Sequence, residues 1–476
     1  MLRFIILANP LKNTCWKHQH NTGRNCIMID WYIILFTFAA VIVFNLEEIN
    51  RQGFLQSIFP AVGFGMKKGT VLLWISLFTQ TLLAVPIFSI FHFGFINSFF
   101  AFTIILYLAY LCVQHLTKRI QLNSRSVPTL LDAYKNRLTP KGFKFAFFIL
   151  LVANLEGLIL QLSIGGHIFF EYFHMPSYML TGFAALFCFI VAGLGGMHVI
   201  YRTGYSFLIL CGFILFFIPS FFYLREGIHH VYQDYGTMLF PHSPNIFLFA
   251  VAFLMALIGL LISHLFLWQV ICSTKQNYKQ NSVRLAFFCF SSVPLSAMIF
   301  TVYLLSRFHI TTLTELGQAI FSAPFSPFIR TMITIVWLFS MLNETMISIF
   351  SLAIIFVYIF GEKWIIQNRK KYFFVFLLFV LLVLLCSTIL VNHMVYLWKF
   401  YFLFYVAVSF PFYALLVGEK RRTVRVPVSG CITGMLGYGI AVCTGKFTAG
   451  LAVTVAGTLI TGLAVFLTAK SKDLIK

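Results

Sequence analysis

The stretch from Ile329 to Tyr358, IRTMITIVWLFSMLNETMISIFSLAIIFVY, is apolar and about 30 residues long, enough to cross a bilayer with some tilt. Near its centre stand Ser340, Asn343, Glu344 and Thr345. A carboxylate, an amide and two hydroxyls at mid-membrane depth are costly in lipid. They must face protein, water or a cargo. The rest of the chain is therefore expected to be a scaffold around this helix.

Composition agrees with a membrane setting. The 476 residues are 60% hydrophobic and only 10% charged, with mean hydropathy +0.91. A soluble protein of this length carries about 25% charged residues. The fold class expected is all-α and polytopic, not a globular enzyme. The net charge of +21 does not imply nucleic acid, because the basic residues sit in short loops between apolar runs. The ten Cys are scattered, most of them inside apolar runs, with no metal-ligand or disulfide spacing. No cofactor or resident metal is expected. Phe4 to Ala8 is too short for the apolar region of a signal peptide, and a polar stretch from Pro10 to Arg24 follows.

The sequence divides into 13 apolar spans, at 28–45, 70–92, 97–115, 143–171, 178–198, 204–223, 245–272, 284–306, 329–358, 372–391, 395–417, 427–443 and 447–468. The segment 53–66 is too short to cross and is expected at the interface. Loops 116–142, 199–203, 273–283, 359–371, 418–426 and 469–476 together hold 20 Lys and Arg. The alternate loops hold only Arg225, Arg307 and Lys446. Basic loops stay cytoplasmic, so the C-terminus is expected inside and the N-terminus outside a bacterial cytoplasmic membrane. Arg3, Lys12, Lys17 and Arg24 run against that rule.

Spans two to six and seven to eleven are two blocks of five. An odd number of crossings inverts the second block relative to the first, a common transporter architecture with cargo held near the midplane at interrupted helices. Both first helices have interruptions: Thr79, Gln80, Thr81 and Pro86 in span two, Gly259, Ser263 and His264 in span seven. The expected organisation is 1–69 as tail, first span and interfacial segment, 70–223 and 245–417 as the two repeats, and 427–476 as two final helices and a tail.

Glu156 lies mid-span beside Asn154 and near Gln161, and Glu344 lies at the centre of span nine. Either carboxyl suits a proton or cation site, or serves as hydrogen-bonded glue between helices. His264 suits substrate binding or a proton relay, or a bond to a backbone carbonyl. Thr79, Gln80 and Thr81 offer oxygens to a cargo or ion, unless the hydroxyls bond their own helix. His229 and His230 read as solvated loop.

Several segments resemble the sodium:solute symporter family, from about residue 70 to residue 440. Val127 to Tyr134, followed by Lys135 and Arg137, is similar to the family's cytoplasmic T-x-P-E-F-L-x-x-R-F segment, with the Pro displaced and the Glu absent. Leu160 to Gly166 resembles its third core helix. Gly195 to Gly204 resembles G-G-x-x-A-V-x-x-T-D, with Gly204 in place of the Asp. Trp268 and Gln269 followed by Lys275 resemble Q-R-x-x-A-A-K, with Val270 in place of the Arg. Ser340 to Phe350 resembles the eighth core helix, and Pro411 to Gly434 the approach to the last helices. The resemblance implies the leucine-transporter-type inverted-repeat fold and sodium-coupled uptake. It also implies sodium-binding hydroxyls just before Ser340, where this chain has Val336 and Trp337. Neither offers the oxygen a hard cation needs.

The expected function is a secondary transporter moving a small polar organic solute, such as an amino acid or organic acid, by alternating access. Thr79, Gln80, Gln161 and His264 are expected to contact the solute. Glu156 and Glu344, with Thr81, Asn343 and Ser340, are expected to serve coupling, by H+ rather than Na+ if transport is coupled. The expected partners are the solute and the lipid bilayer, with no nucleic acid. The rival is a transporter-like sensor signalling through a separate protein. The sequence identifies neither the solute nor the oligomeric state.

Overall fold

The computed structural model describes residues 63–120, 129–173, 176–235, 246–308, 310–322, 326–417 and 425–470, together with Ala39 and Val43. Nearly all of these are helical, and the described residues contain no strand. Eleven of the helices are long and apolar enough to cross a membrane, and a bent pair supplies a twelfth crossing. The chain is an all-α polytopic membrane protein. Spans two to thirteen of the sequence fall on these helices. The first, 28–45, lies almost wholly outside the described residues.

The bent pair is α1 (Met66–Leu77) and α2 (Gln80–Phe93), which meet at 57°. Phe78 and Thr79 leave helical geometry between them. After α3 (Phe95–Arg119), a short helix α4 (Leu130–Arg137) opens on a capping box between Thr129 and Asp132. α5 (Pro140–Asn154) runs through a π-turn at Gly157–Gln161 into α6 (Leu162–Phe173). α7 (Ser177–Cys188) continues as a second π-turn, Phe189–Leu194, before α8 (Gly196–Glu226) and the short α9 (Ile228–Tyr235). π-turns of this kind gather at functional sites.

A second interrupted span follows. α10 (Ile246–Ser263) and α11 (Leu265–Ser273) are separated by His264, whose backbone is extended. α12 (Lys279–Phe308) and α13 (Leu313–Ser322) lead to α14 (Pro327–Phe360). Beyond it lie α15 (Glu362–Gln367), α16 (Arg369–Leu390), α17 (Met394–Val417), α18 (Arg425–Cys443) and α19 (Phe447–Lys470).

α14 contains the stretch from which the sequence argument began, and it is the centre of the molecule. Its most apolar 18 residues are 89% buried, against 22% for α16. The final hairpin packs through small residues: a Cβ on Gly450 of α19 would lie 2.7 Å from the Ala441 Cβ of α18. Where α1 begins, Phe64 pairs with the end of α11, donating its N–H to the Ser273 carbonyl (2.7 Å) and accepting from the Lys275 N–H (3.0 Å). The start of one interrupted span is thus tied to the end of the other.

Candidate functional site

The two interruptions leave backbone groups unpaired in a region without water, and each needs a partner. At the first, Asn343 of α14 donates its amide to the carbonyls of Ile75 (2.5 Å) and Phe78 (2.7 Å). Thr79 caps α2, its hydroxyl accepting from the Leu82 N–H at 3.1 Å. At the second, Asn154 of α5 donates to the Ser263 carbonyl (3.0 Å) and accepts from the Leu265 N–H (3.2 Å). Each break is therefore held by one asparagine from a continuous helix. Tyr134 of α4 also reaches the second break, with its hydroxyl 3.5 Å from the Ile262 carbonyl.

The carboxyls stand between these clamps. Glu156 opens the π-turn and accepts from Gln161 Nε2 at 2.6 Å. The Tyr405 hydroxyl of α17 lies 3.3 Å from its other oxygen and 3.1 Å from the Ala153 carbonyl. The same Gln161 nitrogen donates to Thr81 of α2 at 2.9 Å. Glu344 sits across the π-turn on α14, its Oε1 3.9 Å from His264 Nε2. The two carboxyl-bearing residues flank one close contact: a Cβ on Gly157, next to Glu156 in the chain, would lie 2.6 Å from the Glu344 carbonyl oxygen. Glu156, Glu344 and His264 are 5%, 1% and 6% exposed, so the cluster is closed to solvent.

The close approach of α14 to the π-turn has a simple cause. Gly157 has no side chain, its N–H donates to the Ser348 hydroxyl at 3.1 Å, and its carbonyl accepts from Thr345 at 3.4 Å. Gln80 lies a turn further along, donating to the Trp337 carbonyl at 3.4 Å. Ser340 donates to the same carbonyl at 2.8 Å. Trp337 and Val336 themselves line a narrow apolar cavity of about 50 Å³ with Leu83, Ile87 and Ile333.

The structure thus gathers Glu156, Glu344, Gln161, His264 and Thr81 in one cluster, with Gln80 beside it. It gives Thr79 and Asn343 backbone-capping bonds and turns Ser340 back onto its own helix. Asn154 and Tyr405 belong to the site as well. Asn154, a polar residue at mid-span, could have been read as a clamp from its depth alone. Nothing in the sequence points to Tyr405, one of 20 tyrosines. Among the described residues, no group of three or more His, Cys, Asp or Glu is arranged to hold a metal ion.

No protein-family model matches the sequence, and no curated protein matches it. Solved structures do. A Na+-coupled sialic acid symporter in a substrate-bound, outward-open state matches with TM-score 0.69 over 93% of this chain and 97% of that one. This chain has its fold. The identity is 13%, so the likeness speaks for the fold alone. A manganese transporter of Eremococcus coleocola matches over 85% of this chain and 93% of that one at 14% identity. Its TM-score of 0.48 is too low to support an argument.

Proposed function

We propose that the chain is a secondary transporter rather than an enzyme, and that it moves a small polar organic solute across the cytoplasmic membrane by alternating access. In this reading 70–223 and 245–417 are inverted repeats, each opening with its interrupted span. One observation carries the proposal: two broken helices, each clamped by an asparagine, meet beside a buried pair of carboxyls. A fold shared with a symporter agrees with it. Gln80, Gln161 and His264 face the solute, and Thr79 shapes the start of α2.

Coupling runs through protons on Glu344 and Glu156. Val336 and Trp337 stand where the family resemblance implies sodium-binding hydroxyls, and they line an apolar cavity instead. Glu344 lies seven residues beyond Trp337, two helical turns deeper. When the closed cluster opens to one side and then the other, that carboxyl exchanges protons with each compartment in turn.

The test uses the purified full chain in vesicles loaded with a pH-sensitive dye. A panel of amines, amino acids, organic acids and sugars is added, with sodium and proton gradients imposed separately. The expected result is solute-dependent proton movement without sodium, lost in Glu344→Gln. Uptake driven by sodium alone and unaltered in Glu344→Gln would return the protein to ordinary sodium coupling.

A further inference from the structure

The buried cluster holds more acceptors than donors. Gln161 directs its nitrogen at Glu156 and Thr81, and Gln80 directs its nitrogen at the Trp337 carbonyl. Flipping either amide would set oxygen against a carboxylate or a carbonyl, so both orientations are fixed. The amide oxygens that remain are buried and meet no donor among the described residues. The same holds for Glu344 Oε2, and His264 Nε2 has no hydrogen-bond partner either. Gln80 belongs to the same region, because a Cβ on Gly165, one turn past Gln161, would lie 3.3 Å from its Nε2. Among the described residues neither carboxyl is paired with a lysine or arginine. Lys399, on the same helix as Tyr405, lies over the Tyr396 ring instead.

Buried acceptors without donors are costly, and two neighbouring carboxyls without a counter-charge are more so. A carboxylate cargo would add acceptors and negative charge. A sugar would bring donors without charge. An ammonium or guanidinium group supplies both. We propose that the ligand of this site is an organic cation with N–H donors, an amine or guanidine, and that it shares the two carboxyls with protons. This departs from the organic-acid expectation. It rests on the transporter reading only in calling the ligand a cargo. The titratable groups facing the carboxyls are His264, Tyr401 and Tyr405. A proton on either acid removes charge that the cation needs, so binding weakens as pH falls.

The thermal midpoint of the full chain in detergent provides the test, with agmatine, ethylammonium chloride, sodium chloride, lactate and glucose as probes. Agmatine or ethylammonium should raise it by about 2 °C near saturation. The apparent affinity should fall as pH falls, and by about tenfold or more in Glu344→Gln. That variant should start from an equal or higher midpoint, because it removes an unpaired buried acid. The inference is overturned if no cation shifts the midpoint. It is equally overturned if sodium chloride reproduces the shift, if only lactate or glucose produces one, or if Glu344→Gln leaves it unchanged. Vesicle counterflow separates the two readings. Cation binding without cation flux removes the transporter and keeps the site, and lactate flux does the reverse.

Discussion

Asn343 shows most plainly how a side chain's chemistry differs from its sequence signal. In the sequence it stands beside Glu344 and reads as part of a coupling site. In the structure its amide donates to the carbonyls of Ile75 and Phe78 at the end of α1, and the Ile75 carbonyl also accepts from the Phe78 N–H. Removing the amide takes the donor from the buried Phe78 carbonyl, at about 1–3 kcal/mol, while the Ile75 carbonyl keeps its bond from the Phe78 N–H. Asn343→Ala is therefore expected to cost about 2 kcal/mol, read as a lowered thermal midpoint in detergent. Ser340→Ala deletes only a hydroxyl that bonds back onto its own helix, and should cost under about 1 kcal/mol. Equal losses in the two variants would remove the clamp. Depth in an apolar span reveals that a polar residue must have a partner, which is how Glu156, Gln161, Glu344 and His264 became legible. It does not reveal which partner. Whether an amide serves the backbone or a ligand depends on where another helix ends, and that is a property of packing.

At the scale of elements, the legible part was large because lipid imposes length and hydropathy on every crossing. Spans two to thirteen lie where the apolar runs lie, and the interruptions fall at Thr79 and His264, while Pro86 and Gly259, also read as interruptions, lie inside α2 and α10. The π-turn at Gly157–Gln161 was not legible, because its extra residue leaves no mark in hydropathy. Yet it sets Glu156 opposite Glu344, and Gly157 permits the contact. A Cβ there would lie 2.6 Å from the Glu344 carbonyl oxygen and 2.9 Å from Ser348 Cβ. A backbone carbonyl cannot swing aside as a flexible side chain can. Gly157→Ala should therefore push α14 off the π-turn, lower the thermal midpoint and abolish solute-driven proton flux. Gly182→Ala, on α7, adds its methyl to open space and should change neither. An unaffected Gly157→Ala protein would mean that α14 and the π-turn are not held together as described.

At the scale of the whole molecule, orientation rests on the loops: 20 basic residues on one set and three on the other. The structure adds a constraint that charge counting lacks. Phe64, before α1, bonds to Ser273 and Lys275, after α11, so these ends lie on one side of the membrane. An even number of crossings must separate them, and spans two to seven are six. The same parity puts Gln233 of α9 on the opposite side from Asn277. Ser273, buried in that pairing, would resist labelling from either compartment, so it is a poor reporter. Asn277 and Gln233 are both exposed and report cleanly. In a background with the native cysteines replaced, Gln233→Cys should react with an impermeant maleimide added to intact cells. Asn277→Cys should react only after the membrane is permeabilised. The opposite pattern would invert the protein and place the carboxyl-terminal tail outside. Labelling of both in intact cells would break the parity itself, and with it the count of six crossings between Phe64 and Lys275.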